Sequence, residues 1–162
     1  KNFLRLLEAM TLPENQDKHL VAVSNGGDEY GAAEEYIYDK QLEGRVFFLK
    51  DLPWYELPII YHMSQGLVYP SLYEGFGLPI LEALRCGKPV ITSNLSSMPE
   101  VGGDACIFID PTNVEEISAA INFIYYNLEL AAEIKEKAMH QIQKFNPQKM
   151  TDKMMDVYKG LA

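Results

Sequence analysis

The chain has 162 residues, enough to bury one sizeable core and most simply a single domain. Apolar content of 48% beside 23% charged residues is ordinary for a soluble globular protein, and no apolar run approaches the ~18 residues of a membrane span. A net charge of −9 argues against nucleic acid as a ligand, yet leaves room for a small anion held by backbone N–H groups, a helix dipole and a local cation or two.

In chain order, Leu4, Leu6, Leu7 and Met10 predict a first helix, stopped near Pro13. His19 to Val23 reads as a buried strand running into the turn Ser24-Asn25-Gly26-Gly27. Tyr30 to Leu42 is expected to be helical with Gly44 as its stop, and Val46 to Leu49 is the next strand. A helix is expected from about Trp54 to Ser64, with its start kinked or displaced by Pro58. Gly66 to Pro70 is a third strand, followed by a Gly-rich turn and a helix over Leu78–Arg85. Pro79 lies early in that helix and Gly87 just past it. Pro89–Thr92 and Ala105–Ile109 are two more short strands. Helices over about Asn113–Asn127, Leu128–Lys144 and Pro147–Gly160 complete the chain.

Strands with little polar alternation, separated by helices, predict an α/β fold: a Rossmann-like parallel sheet with helices on both faces. Ligands of such folds sit outside the carboxyl ends of the strands. The loops Ser24–Asp28, Lys50–Leu52 and Ser71–Gly77 leave those ends and should lie along one edge.

The last of these loops opens the stretch Glu74-Gly75-Phe76-Gly77-Leu78-Pro79-Ile80-Leu81-Glu82. Gly75 and Gly77 permit a sharp turn with accessible backbone, and N–H groups around Leu78 and Ile80 are expected to point off the helix start, where the dipole favours a phosphate. Glu82 lies about one turn inside, with a carboxylate able to accept two hydroxyls of a ribose, while Leu81 and Leu84 face the sheet. Blander readings stand beside these. Glu82 also fits a dipole-favoured surface residue, Gly-x-Gly a tight connection, and Phe76 a packing wedge rather than a stacking platform. From the residues alone, the stretch reads as an anion or nucleotide site at a helix N-terminus.

At these residues the sequence resembles the retaining glycosyltransferases of family 4, also called glycosyl transferases group 1. Their two glutamates separated by seven residues match Glu74 and Glu82, inside Pro70-Ser71-Leu72-Tyr73-Glu74-Gly75-Phe76-Gly77-Leu78-Pro79-Ile80-Leu81-Glu82-Ala83-Leu84. The similarity continues through Gly87-Lys88-Pro89-Val90-Ile91, Pro99-Glu100-Val101, Gly103-Asp104-Ala105 and Asp110-Pro111. It implies the C-terminal, donor-binding half of a GT-B enzyme that transfers a sugar from a UDP- or GDP-sugar to an acceptor such as a polysaccharide or glycolipid precursor. Glu82 would then hold the ribose, Glu74 would lie beside the donor sugar as the catalytic carboxylate, and backbone around Gly75, Phe76, Gly77 and Leu78 would contact sugar or phosphate. Lys1-Asn2 resembles the family's Lys-Asn step, whose Lys neutralises the donor diphosphate. The strand and Gly-Arg that precede this step in the family lie outside the chain, as does the N-terminal acceptor domain. Alone, the chain is expected to bind donor weakly and transfer nothing. A nucleotide-sugar 2-epimerase, or a non-catalytic binding module on the same scaffold, are the alternatives.

Further residues complete the expected site. Asn25 and Gly26 match the family's Gly-containing loop after its second strand, or simply make a turn. Lys50 either faces the nucleotide or is a solvated loop lysine, and Ser71 either joins the site or caps local backbone with its hydroxyl. The nucleotide-sugar is a substrate, and no cofactor is implied. Dispersed His19, His62 and His140 suggest no metal site. Cys86 and Cys106 lack CxxC spacing and read as reduced, partly buried thiols of a cytoplasmic protein, with membrane contact left to regions outside the chain. Trp54 and Tyr55 are expected in the core or on an interdomain surface. Met150, Met154 and Met155 are expected to pack the last helix or dock it on another domain.

Overall fold

The structure, a computed structural model, describes residues 1–24, 26, 28–127 and 129–161. Helices and strands alternate as expected. Helix α1 (Phe3–Thr11) leads through a 3-10 turn (Pro13–Asn15) to strand β1 (Leu20–Val23), followed by α2 (Asp28–Asp39) and β2 (Val46–Leu49). Then come α3 (Leu57–Met63), β3 (Leu67–Tyr69), α4 (Leu78–Arg85) and β4 (Val90–Ser93). Helix α5 (Met98–Gly102), a 3-10 turn (Gly103–Ala105) and β5 (Ile107–Ile109) precede the closing helices α6 (Val114–Tyr126), α7 (Leu130–Lys144) and α8 (Pro147–Leu161).

Two local boundaries differ from expectation. Helix α3 starts three residues later than Trp54 because Pro58, which has no N–H to give, fits only its first turn. Trp54 and Tyr55 therefore lie outside it, and at 84% and 63% exposed they do not belong to the core. The short helix α5 takes residues expected to be loop, and the 3-10 turn after it takes Ala105 from the predicted fifth strand. Both pieces are too short to show a helical period.

All pairings are parallel, but the strands form two sheets rather than one. β1 pairs with β2 in register Leu20↔Val46, while β3–β4–β5 runs Leu67↔Val90 and Ile91↔Ile107. The facing edges of β1 and β3 border a crevice of about 980 Å³, whose lining includes Leu20–Val23, Leu67–Pro70 and the apolar side chains Leu6, Ile121 and Ile124.

Helices cover both faces. On one side Tyr61 of α3, Ile80, Leu81 and Leu84 of α4, Met98 and Val101 of α5 and Ala138 of α7 pack with Tyr69 and Val90. On the other, Leu6 and Ala9 of α1 and Ile117, Ala120 and Ile124 of α6 pack with Ile91 and Ile109. Leu7 turns the opposite flank of α1 onto Ala33, Ile37, Leu42 and Val46. Helix α1 is thus shared between cores and ties the two sheets together. Leu84, at 2% exposure, shows how completely the inward stripe of α4 is buried, and Glu82, two residues earlier and so on the other side of the helix, points outward. Among the described residues, no helix is long and apolar enough to cross a membrane.

Candidate active site

The Gly-rich turn is held from the neighbouring loop. After β4, Ser96 and Ser97 turn their hydroxyls onto it: Ser96 Oγ donates to Glu74 O (2.8 Å), while Ser97 Oγ reaches Glu74 O and Phe76 O, each at 2.9 Å. Gly77 at φ 101° is the left-handed residue before α4, and a Cβ there would press on Ile80 at 3.2 Å. The Ile80 N–H, expected to be open, instead donates to Gly77 O at 3.0 Å. No acceptor for the N–H groups of Gly75, Phe76, Gly77 or Leu78 is present among the described residues. The turn therefore presents unpaired donors at the positive end of a helix. The Phe76 ring packs edge-on against Phe145, with centroids 5.3 Å apart.

Lys1 and Glu74 meet across 73 positions of sequence. Lys1 Nζ lies 2.5 Å from Glu74 Oε1 and 2.6 Å from the Tyr69 hydroxyl, and it sits 4.8 Å from the Tyr69 ring centroid. Asn2 places it there: at φ 63° it donates Nδ2 to Pro70 O (3.0 Å) and Pro111 O (2.7 Å), stapling the chain start to the ends of β3 and β5. Ser71, fully buried, donates Oγ to Glu74 Oε1 at 2.8 Å instead of capping backbone. Burial alone would push the Glu74 carboxyl up. The Lys1, Tyr69 and Ser71 hydrogen bonds outweigh it and hold the group below its ordinary range. Lys1 is opposed by burial in the same way and is nevertheless raised by Glu74 and Tyr69.

Glu82 stands on α4, where it lines the crevice together with Lys1, Tyr69 and Gly26. Tyr61 Oη donates to its Oε2 at 3.1 Å. Burial, then the adjacent Glu82 carboxylate, raises the Tyr61 pKa, so the hydroxyl keeps its proton. Gly26 is left-handed at φ 96°, and its N–H donates to Ser24 Oγ at 3.2 Å, a turn that also borders the crevice. Asn25 lies outside the described residues. Lys50 does not line the crevice: its ammonium sits 4.2 Å from the ring of Tyr30, which does. Cys86 and Cys106 are free and partly buried. No cluster of metal-ligating side chains is present among the described residues.

The structure thus gathers Lys1, Ser71, Glu74, Glu82, Gly26 and the Gly75–Leu78 backbone at one edge, with Lys50 against Tyr30. Sequence reasoning missed Asn2, Tyr61, Tyr69, Ser96 and Ser97. Only Asn2 had a visible signal, as the partner of Lys1 in the Lys-Asn step. The two tyrosines look like core aromatics, and the serines sit in an ordinary polar loop.

Residues 1–141 match the sequence family described as Glycosyl transferases group 1. Among similar proteins is the O-antigen chain mannosyltransferase B of Escherichia coli, 40% identical over 119 residues that make up 74% of this chain and 31% of that protein. The sucrose-phosphate synthase of Thermosynechococcus elongatus superposes with a TM-score of 0.87 at 24% identity, over 99% of this chain and 42% of that one. Anabaena HepE, solved in complex with UDP-glucose, gives 0.78 at 21% identity over 94% of this chain and 44% of its own. At these identities the solved structures show the shared fold. The chain spans less than a third of the length of the mannosyltransferase. With its family profile matched from the Lys-Asn step to the last turn of α7, the chain belongs to the glycosyl transferases group 1.

Proposed function

We propose that the complete protein is a retaining GT-B glycosyltransferase, and that this chain is its C-terminal, donor-binding half. The donor is a UDP- or GDP-linked sugar. The mannosyltransferase named above makes mannose the first sugar to test, with a growing polysaccharide or glycolipid precursor as the acceptor. The observation that carries this reading is the pairing of two carboxylates, Glu74 and Glu82, on either side of a turn whose N–H donors are open, with a lysine beside the first.

The roles follow from charge. Breaking the bond between sugar and diphosphate builds negative charge on the leaving group, and the open N–H groups and the Lys1 ammonium offer stabilisation there without rearranging. Glu82 accepts the ribose hydroxyls. Glu74, kept ionised by its three donors, lies where positive charge develops on the departing sugar. The acceptor comes from an N-terminal domain ahead of Lys1, on the cytoplasmic face of the membrane. The last strand of that upstream polypeptide fills the crevice: inserted between β1 and β3 it would lead through α1 into a parallel neighbour, the ordinary right-handed crossover.

Calorimetry of the complete protein with UDP and GDP tests the binding role. One diphosphate should bind, and Glu82→Ala should weaken it by about thirtyfold or more, since each hydrogen bond to a charged group contributes about 1.5–3 kcal/mol. Binding of neither, or binding untouched by Glu82→Ala, refutes the reading. Transfer is tested with labelled GDP-mannose and UDP-sugars on lipid-linked oligosaccharide. An inverted anomeric configuration in the product would refute retention.

A further inference from the structure

The Glu82 carboxylate has one hydrogen-bond partner among the described residues, and it comes from a different element. Tyr61 is 9% exposed, its ring locked in the core that carries Leu81 and Leu84, so its hydroxyl is delivered by α3 from a fixed direction. It donates to Glu82 Oε2 at 3.1 Å and lies 3.5 Å from Pro79 O. A carboxylate offers about four lone-pair sites, of which this bond uses one. Glu82 is only half-buried on α4 and accepts no other hydrogen bond among the described residues, so Oε1 and the remaining lone pair of Oε2 are left for a ligand. A glutamate on a helix surface otherwise rotates about three side-chain bonds, and a ligand binding it must freeze them.

We propose that Tyr61 is a positioning residue for ribose recognition: its hydroxyl fixes the Glu82 carboxylate so that its open oxygens meet the two neighbouring hydroxyls of a nucleotide sugar ring. The inference rests on the donor-binding reading of Glu82. Burial keeps the phenol protonated across the working pH range, so the orienting donor is always present.

The test compares ligands within one variant. The complete protein, as wild type and as Tyr61→Phe, is titrated with UDP, GDP and their 2′-deoxy counterparts. Wild type should favour the ribonucleotide by about tenfold or more, the worth of one well-placed hydrogen bond to a carboxylate. In Tyr61→Phe the ribonucleotide should lose most of that advantage, leaving a preference of about twofold, while the 2′-deoxy ligand binds nearly as before. In turnover, the donor KM rises and kcat stays within about twofold. A purely structural loss lowers both ligands alike. The ratio within one variant is also unaffected by any unfolded fraction, because both ligands meet the same folded population. Equal discrimination by wild type and Tyr61→Phe overturns the inference and leaves the donor-binding reading standing. Wild type that does not discriminate at all overturns both.

Discussion

Gly103 belongs to a run that matches the family, yet the structure gives it no place in the site. Its constraint is mechanical. It ends α5 at φ 50°, ψ −144°, a region close to glycine-only backbone, and a Cβ there would fall 2.4 Å from Gln141 Oε1 and 2.7 Å from its Cδ. Gln141 is 2% exposed and donates Nε2 to Glu100 O (2.7 Å) and Val101 O (2.9 Å), clamping α7 to α5. In Gly103→Ala the backbone strain costs about 1–2 kcal/mol and the displaced glutamine loses two hydrogen bonds of about 1 kcal/mol each, for a total loss near 3–4 kcal/mol. Gln141→Ala alone should cost about 2 kcal/mol. With that side chain gone the new methyl has room, so the double variant should be less destabilised than the two singles together, by about 2 kcal/mol. Urea unfolding of the four proteins measures this directly. Strict additivity, or a Gly103→Ala loss below about 1 kcal/mol, would refute the clamp.

Other outcomes follow from the same contacts. Glu74 is held below its ordinary pKa, so its contribution to stability is present above the unfolded carboxylate range and disappears as pH falls through the lowered value. Thermal melts from neutral to acid pH should therefore fall less steeply in Glu74→Gln than in wild type. Lys1 is raised, so its share persists below the unfolded lysine value and is lost only above it; Lys1→Met should change the melts little in shape between pH 7 and 9. Burial pushes the Cys106 thiol up to about 12, whereas Cys86 is raised less; peptide mass spectrometry after iodoacetamide at pH 8 should find Cys86 modified well before Cys106. Hydrogen exchange should find the β1 and β3 amides that face the crevice protected in the complete protein and fast in the chain cut at Lys1. Equal rates would contradict a strand seated between them.

The sequence was most legible where the chain repeats a period or uses a fixed punctuation mark. Pro79 and Gly87 bracket α4 so well that its predicted and observed limits coincide, and Asn113 caps α6 by accepting the Glu116 N–H at 3.1 Å. The Gly-rich stretch was legible as a turn, and Gly77 is indeed left-handed at φ 101° before α4. What stayed hidden depends on separation along the chain. The divided sheet could not be read because strand pairing leaves no trace in a run such as Leu67–Tyr69, which looks the same whether one edge or both are paired. Tyr61 and Tyr69 were invisible for a related reason: an aromatic in an apolar run reads as core, and both are core except for a single oxygen. Lys1 was expected near the donor, but its grip on Glu74 depends on the left-handed Asn2, a backbone state no pattern reveals.

The crevice between β1 and β3 also bears on how the molecule is made. Two parallel edges with unused backbone groups, flanked by the half-exposed Val21 and Val23, form a surface that any extended apolar segment can join. During synthesis, under the proposed strand order, the occupant leaves the ribosome before β1, and β1 before β3. The first edge is therefore covered before the second exists, and the slot closes around a strand already in place. Vectorial translation protects this fold from capturing a neighbour's strand in a way that refolding from the denatured state, where both edges and every competing segment appear at once, does not.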